Sequence, residues 1–338
     1  MGLKSGDRQM SMIIPELDKL VSKEHDYRKI LKLFNWTDLT KPLRNLYSKE
    51  GRKGYAVEQG FKILFLQFLE DRSDRQMERF LQDSIAAKYF CNFGLLDKTP
   101  DHSYFGNFRK RIGAYQLSNI FRTMISSFKK EGLVREFYTF VDASSIVANV
   151  DSWKARDKAI ADKENQEKDD NDKPTMNNKN VSEYSSDPDA RYGAKGKNNI
   201  WLGFKRHVGV DMGSGLITKV AVTAANIPDG KALKHVLPKQ GAVVADKAYS
   251  VGEADKVIKA RGLHSMAIQK QNSKTKNRDK DRFISSIRMP YEGVFSKLPK
   301  KTRYRTKVKV YFQAVMQSIV TNIKRLLVLE IEEPIPII

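Results

Sequence analysis

The chain has 338 residues, a formal net charge of +21 and 40% hydrophobic residues, which is enough apolar content to exclude a wholly disordered chain. The single cysteine, Cys91, excludes a disulfide framework and a cysteine-based zinc site, and the five histidines lack metal-ligand spacing. Neither a signal-peptide pattern nor a membrane-spanning apolar stretch is found, so we expect a soluble intracellular protein whose charge favours nucleic acid as its partner.

The first part of the chain, to about residue 130, has a helical apolar pattern. Its strongest helix, Val57–Leu69, is expected at the centre of an N-terminal bundle. Ser73 followed by Gln76 predicts a capping box at the start of the next helix. A short basic helix begins near residues 100–103, and a further helix over about 116–131 ends at Gly132.

The basic helix carries Arg109, Lys110 and Arg111 in consecutive positions. Short helices that include a basic one are typical of a helix-turn-helix-like unit, in which these residues bind DNA. A simple helical bundle with exposed basic residues explains the same pattern. From the helices alone, both interpretations stay open.

At Phe137 the pattern changes from helix to strand. Tyr138–Val147 combines aromatic and β-branched residues around one acid, Asp142, and predicts a buried strand. A buried aspartate needs a partner, a hydrogen bond or a metal ion. From this stretch alone, Asp142 is either an acid that caps the next element or a functional carboxylate.

Residues 153–198 are polar, and the wider range 151–200 is nearly neutral, so we expect a loop-like insertion there. Two strands joined by a hairpin at Asp211 follow, and then a helix with Asp229 as its N-cap. A short apolar strand ends in Asp246, and the last elements are a helix, a strand at 264–268 and a helical region that holds Arg288 and Glu292.

This order of elements is that of a ribonuclease H-like core, an α/β fold with a mixed sheet and helices on both faces. The predicted domains are an all-α N-terminal domain at 1–132, the α/β catalytic domain at 133–330 with its polar insertion, and a tail at 331–338. In such a core the first and fourth strands are neighbours. Asp142, Asp246 and Glu292 are then expected to converge, and hard oxygen ligands without Cys or His suit two Mg²⁺ or Mn²⁺ ions.

Residues 270–309 hold fourteen Lys/Arg and only three Asp/Glu, so much of the excess charge lies in this basic block. Its aromatic residues favour binding to a phosphate backbone over a disordered basic tail.

Several short motifs, taken in chain order, resemble those of DDE transposases of bacterial insertion sequences, within the insertion-sequence family-five group of the family-four-like set. The resemblance covers nearly the whole chain. The motifs are Arg44–Ser48, Ser73–Arg75, Pro100–Ser103, Phe108–Arg111, Val141–Ser144, Asp187–Gly193, Val222–Asn226, Ala245–Tyr249, Glu292–Phe295 and Asn322–Leu326.

The resemblance implies that Asp142, Asp246 and Glu292 are the catalytic acids and the ligands of two Mg²⁺ or Mn²⁺ ions. It implies that Arg288 contacts a DNA phosphate. The chain departs from the family pattern at two positions, with Ser285 in place of a tyrosine and Pro299 in place of a lysine. Lys300 is the nearest substitute for that lysine. The residues expected to bind DNA are Arg288, Lys300, Lys301, Arg303, Arg305, Lys247, Arg109, Lys110 and Arg111.

The function implied is cleavage of insertion-sequence ends and joining of their 3′-hydroxyls to target DNA. The implied partners are double-stranded DNA, namely terminal inverted repeats and target, and a second copy of the chain on that DNA, with no membrane. A cytoplasmic, nucleoid-associated protein of a bacterium or archaeon is expected. The alternatives are a catalytically impaired, transposase-derived DNA-binding protein, favoured by Pro299 and Ser285, and a structure-specific nuclease.

Overall fold

In the computed structural model the described residues are 17–48, 54–150, 178, 181–195, 199–250, 252–271, 276–296, 298–331 and 333–337. The chain divides into two compact units. The first, the N-terminal unit, is Met1–Gln116 with Leu326–Ile338, and the second, the sheet unit, is Leu117–Arg325. Most of the predicted polar insertion, 151–177, lies outside the described residues.

The N-terminal unit is helical, and its most apolar helix is fully packed, as the sequence predicts. In α4 the eight consecutive residues from Gly60 to Gln67 are all buried. The ring centroids of Trp36, Phe65 and Phe90 lie 5.5–5.9 Å apart. The rings are tilted or edge-on to one another, an arrangement that aromatic pairs prefer. The helices before the unit boundary are α1 (Leu17–Leu20), α2 (Asp26–Lys32), α3 (Trp36–Thr40), α4 (Val57–Leu69), α5 (Asp74–Asp83) and α6 (Ile85–Phe90).

The capping box predicted at Ser73 is confirmed. The Ser73 hydroxyl accepts a hydrogen bond from the Gln76 backbone N–H at 3.3 Å, and the Gln76 side chain accepts one from the Ser73 N–H at 2.9 Å. The two helices predicted after residue 100 form one kinked element, α7 (His102–Lys130), in which Gly113 is non-helical at φ 64°. Gly132, at φ 71°, follows its end. Glycine tolerates this left-handed backbone, so both breaks follow from the sequence.

The sheet unit contains a six-stranded mixed sheet in the order β2-β3-β1-β5-β6, with β4 paired to β3. β1 and β5 are parallel, as are β5 and β6, whereas β3 runs antiparallel to β1, β2 and β4. The mixed α/β class is therefore confirmed. The strands are β1 (Tyr138–Val147), β2 (Arg191–Ala194), β3 (Ile200–Asp211), β4 (Ile217–Ala224), β5 (Ala242–Ala245) and β6 (His264–Ala267).

One strand was not expected. The sequence predicts a loop through residue 198, but β2 pairs antiparallel with the first residues of β3. Its Tyr192 packs against a cluster that includes Ile146 and Phe204. β2 was missed because it follows a polar stretch and lacks the continuous apolar run by which β5, which has the same length, was predicted.

Helices cover both faces of the sheet. Val141 and Val243 pack with Ile258 of α10, while Ile146 packs with Val310 of α12. Because side chains alternate along a strand, Val141 and Ile146 point to opposite faces of β1. α11 packs across β1 and β5. The remaining helices are α8 (Val181–Tyr184), α9 (Asp229–Ala232), α10 (Gly252–Ala260), α11 (Arg278–Ser296) and α12 (Lys307–Val328).

Within the ranges given above, no helix combines the length and the apolar character needed to cross a membrane.

Candidate active site

The parallel pairing of β1 with β5 brings two distant aspartates together. Val141 lies beside Ala245 in the register of the two strands, and Asp142 and Asp246 are the next residues of each. β5 ends at Ala245, and the Asp246 carboxylate accepts a hydrogen bond from the Lys247 N–H at 2.6 Å, which starts a 3₁₀ turn. The two acids therefore lie side by side where the pairing of β1 with β5 ends.

Asp142 is largely shielded from solvent. Its Oδ1 accepts a hydrogen bond from the Ala143 backbone N–H at 2.7 Å. Burial raises the pKa of the Asp142 carboxyl to about 6, although that hydrogen bond and the charges of Lys195 and Arg288 act in the opposite direction. A carboxylate that is costly to ionise in this position is stabilised by a cation close to it.

Arg288 forms ion pairs with both Asp246 and Glu292. Its Nη1 lies 3.2 Å from Asp246 Oδ1, and its Nη2 lies 2.8 Å from Glu292 Oε1. The Arg288 side chain is only 17% exposed, and its guanidinium lies 5.9 Å from the ring centroid of Phe140. Glu292 itself is half-exposed on α11. The expected role of Arg288 was a phosphate contact, and here its charge is shared between two carboxylates.

Asp142 and Asp246 line a cavity of about 870 Å³. Its charged lining residues are three aspartates and five lysines, so the two neighbouring acids are surrounded by cations. Such a lining has an excess of positive charge and suits a polyanion as ligand. The charged residues are Asp142, Asp229, Asp246, Lys195, Lys205, Lys247, Lys270 and Lys300.

Asp229 has a different role from the predicted one. The predicted N-cap is wrong, because Pro228 holds the N-cap position of α9. The Asp229 carboxylate instead binds the Lys205 ammonium at 2.9 Å. Sequence reasoning missed Asp229, Lys195, Lys205 and Lys270 as cavity residues. The signal for two of them was the family resemblance, because Lys195 follows the motif Asp187–Gly193 and Asp229 follows the motif Val222–Asn226. Their place in the cavity depends on contacts between distant strands.

The predicted substitute for the missing family lysine lies in this cavity. Pro299 occupies the expected position, and Lys300 lines the cavity together with Asp142 and Asp246. Lys301 and Arg305 are exposed and Arg303 is partly exposed on the segment that follows.

The three basic residues of α7 lie in the N-terminal unit and have different environments. Arg109 forms a bidentate pair with the Asp74 carboxylate at 2.9 and 2.6 Å. Arg111 stacks over the Tyr47 ring at 4.4 Å and lines a cavity of about 940 Å³, and Lys110 is exposed. Contact of these three residues with DNA stays a prediction.

The carboxylate oxygens of the site fit a hard divalent cation, which prefers oxygen ligands. Among the described residues that line the cavity there is no Cys or His. Across the residues that the structure describes, no three His, Cys, Asp or Glu side chains are grouped so as to hold a metal ion. Glu292 does not complete such a group because its carboxylate forms an ion pair with the Arg288 guanidinium.

Two solved structures are similar to the chain at low identity. The cryo-EM structure of the piggyBac transposase synaptic complex with hairpin DNA matches 93% of this chain and 77% of that chain, with 10% identity and a TM-score of 0.37. The Mos1 transposase paired-end complex with the left transposon end matches 85% of this chain and 83% of that chain, with 8% identity and a TM-score of 0.17. Neither likeness is close enough to support a conclusion about this chain.

Two family models match the sequence itself. Residues 15–111 match a transposase domain, DUF772, and residues 151–324 match a transposase DDE domain. Asp246, Arg288 and Glu292 fall within the second match, and Asp142 lies shortly before it. The DDE match alone spans more than half of the chain, and the chain therefore belongs to the DDE transposase family.

Proposed function

We propose that this transposase cuts the ends of an insertion sequence and joins the resulting 3′-hydroxyls to target DNA, with Asp142, Asp246 and Glu292 as its catalytic acids. The observation that carries the proposal is the pair Asp142 and Asp246, set side by side where the parallel pairing of β1 with β5 ends, in a cavity otherwise rich in lysine. The core would be ribonuclease H-like.

The three carboxylates would hold two Mg²⁺ or Mn²⁺ ions. The chemistry that such ions supply is Lewis-acid stabilisation of the attacking and leaving oxygens during in-line phosphoryl displacement. The residues around the acids bind and orient DNA. Lys300 and Lys247 line the same cavity as Asp142 and Asp246, so a phosphate bound by these lysines would lie beside the acids.

Arg288 would change partners during the reaction. Its guanidinium contacts Asp246 and Glu292, the two carboxylates that the ions would need. An incoming DNA phosphate offers an alternative anion, and arginine binds phosphate as well as carboxylate through paired N–H donors. Transfer of Arg288 to a phosphate would free both acids for the ions.

The wider assembly follows from the same proposal. The helical domain at 1–132 would bind the terminal inverted repeats, and the domain at 133–330 would carry the reaction. Two element ends must be held together, so we expect a dimer on DNA. The chain would belong to the insertion-sequence family-five group and act in the cytoplasm, associated with the nucleoid.

The proposal is tested with a duplex that carries the element's ends, in the presence of Mg²⁺. Asp142→Asn should abolish strand cleavage and leave DNA binding intact, because the amide keeps the shape of the side chain and removes its charge. The matched control is Asp255→Asn, an aspartate on α10 that pairs with Lys259, and this variant should cut normally. Normal cleavage by Asp142→Asn would refute the assignment.

A second candidate is a transposase-derived protein that binds DNA without cutting it. Ser285 and Pro299 favour it, because both stand where the family pattern has residues that handle DNA ends. The same assay decides: end-specific, Mg²⁺-dependent nicking by the wild-type chain supports the transposase, and binding without nicking supports the alternative.

A further inference from the structure

Arg206 is a buried arginine in the middle of β3. Its side chain is 1% exposed, and it is among the largest fully buried side chains. In the described part of the chain no carboxylate forms an ion pair with it, and its Nε and Nη1 atoms have no hydrogen-bond partner. Burying an unpaired guanidinium is costly. Burial lowers the pKa of Arg206 to about 10, in keeping with this cost.

The Nη2 atom of Arg206 forms two hydrogen bonds. Nη2 donates to the Pro299 carbonyl and to Gln317 Oε1, each at 2.9 Å. Gln317 is on α12, and Pro299 lies in the connection between α11 and α12. The guanidinium thus ties the centre of the sheet to that connection.

The residues after Pro299 form an ordered basic segment, which we define as residues 299–303. The Val147 N–H donates to the Lys300 carbonyl at 2.7 Å, and the Thr302 N–H donates to the Val147 carbonyl at 3.0 Å. Val147 and Lys301 accordingly form a parallel bridge. The segment follows β1 beyond Val141, where the pairing of β1 with β5 ends.

α12 holds the basic segment from the other side. The Gln313 side chain donates to the Lys301 carbonyl at 3.2 Å and accepts from the Arg303 N–H at 2.9 Å. Gln313 is itself buried. The backbone from Pro299 to Arg303 is therefore bonded at each residue to Arg206, to Val147 or to Gln313. This leaves the Lys300 side chain exposed in the cavity beside Asp142.

We propose that Arg206 is a positioning residue that fixes the basic segment so that Lys300 meets a DNA phosphate next to the catalytic acids. The inference rests on the proposed function only in taking DNA as the ligand. A backbone ordered in advance loses less conformational entropy on binding, so affinity is gained without further contacts. The buried charge of Arg206 is explained by this function, since an apolar residue could not hold the Pro299 carbonyl.

The test is a double-mutant cycle on DNA binding. The wild-type chain, Arg206→Met, Lys300→Ala and the double variant are titrated with a fluorescent duplex in EDTA at several salt concentrations. Lys300→Ala should reduce the slope of log K against log[salt] by about 0.9, the loss of one phosphate contact. Arg206→Met should weaken binding in the wild-type background and weaken it less in the Lys300→Ala background.

A purely structural role for Arg206 would give equal losses in both backgrounds, and that result would overturn the proposal. So would an unchanged affinity and slope in Lys300→Ala, because no contact would then need positioning. The matched control is Lys247→Ala, a cavity lysine outside the basic segment, whose effect should add independently to that of Arg206→Met.

Thermal unfolding of each variant monitors folding. If Arg206→Met does not fold, Gln313→Met replaces it in the same cycle, since Gln313 holds the segment from the α12 side and the same non-additivity with Lys300→Ala is expected. Binding is measured in EDTA and requires no cleavage. If the chain binds DNA but does not cut it, the transposition reaction is disproved, and the double-mutant cycle still decides the role of Arg206.

Discussion

Asp142 is placed where its ionisation opposes folding. Burial within β1 raises the pKa of its carboxyl to about 6, from an ordinary value of 3.8. In the proposed function Asp142 is a metal ligand and must be ionised, so the site would trade stability of the metal-free protein for function. The same burial strengthens the attraction of the carboxylate for any cation that reaches it.

The pH dependence of stability follows from this pKa. Between the unfolded and folded pKa values, the folded state binds more protons, so its stability falls as pH rises and remains lowered above about 6. Asp142→Asn should therefore stabilise the metal-free protein near neutral pH, by about 1–3 kcal/mol. The gain should vanish below the ordinary aspartate pKa. Thermal unfolding in EDTA at both pH values measures it, and an Asp142→Asn variant no more stable than wild type at neutral pH would contradict it.

The Arg288 guanidinium contacts the carboxylates of both Asp246 and Glu292, so in the proposed function it would compete with metal ions for them. Arg288→Gln should therefore bind Mn²⁺ more tightly in the absence of DNA, by roughly tenfold, which corresponds to about 1.4 kcal/mol. Electron paramagnetic resonance of free Mn²⁺ measures the affinity. Arg282→Gln is the control, because Arg282 is on the same helix, is 82% exposed and pairs with Asp279. Equal affinities in the two variants would show that Arg288 does not compete.

At the scale of elements, the approach of α4 to α7 depends on one glycine. A Cβ added at Gly60 would lie 2.5 Å from Phe108 Cε2 and 2.5 Å from Tyr104 Oη. Such distances force the helices or the rings to move. Glycine permits this contact because it has no Cβ, although its helix propensity is lower than that of alanine.

Gly60→Ala should lower the stability of the protein by about 1–3 kcal/mol, the usual range for overpacking a core. Gly106→Ala on α7 is the matched control, because the nearest atom to its added Cβ, Arg109 Nη2, is 3.9 Å away. That variant should gain up to about 1 kcal/mol from the better helix propensity of alanine. Thermal unfolding compares the two, and equal shifts of the same sign would rule out the steric explanation.

Elements with strong local signals were predicted well. The capping box at Ser73 and the helix break at Gly132 depend on residues adjacent in the chain, so neighbouring positions suffice to specify them. β2 and the role of Asp229 were missed. β2 pairs with β3, and the Asp229 carboxylate at the start of α9 pairs with Lys205 of β3, so both depend on a contact that their own residues do not encode.

At the scale of the whole molecule, the net charge of +21 dominates any encounter with DNA. Binding of the intact chain to a duplex should weaken steeply with salt. For six to ten phosphate contacts the affinity should fall by about 10³–10⁵-fold between 50 and 200 mM salt. Anisotropy titrations in EDTA measure this dependence. A flat response would mean that the basic block does not contact the phosphate backbone.

The sequence by itself determined most of the succession of helices and strands, the position of Asp142 within a buried strand and of Asp246 at the end of another, and the basic character of residues 270–309. These properties are set by side-chain periodicity and composition, which are local. Only the tertiary structure decided which charges meet: Arg288 with Asp246 and Glu292, Lys205 with Asp229, and Arg206 with the Pro299 carbonyl. Those pairs form because strand pairing and helix packing bring distant residues within hydrogen-bond distance, and no spacing along the chain encodes that distance.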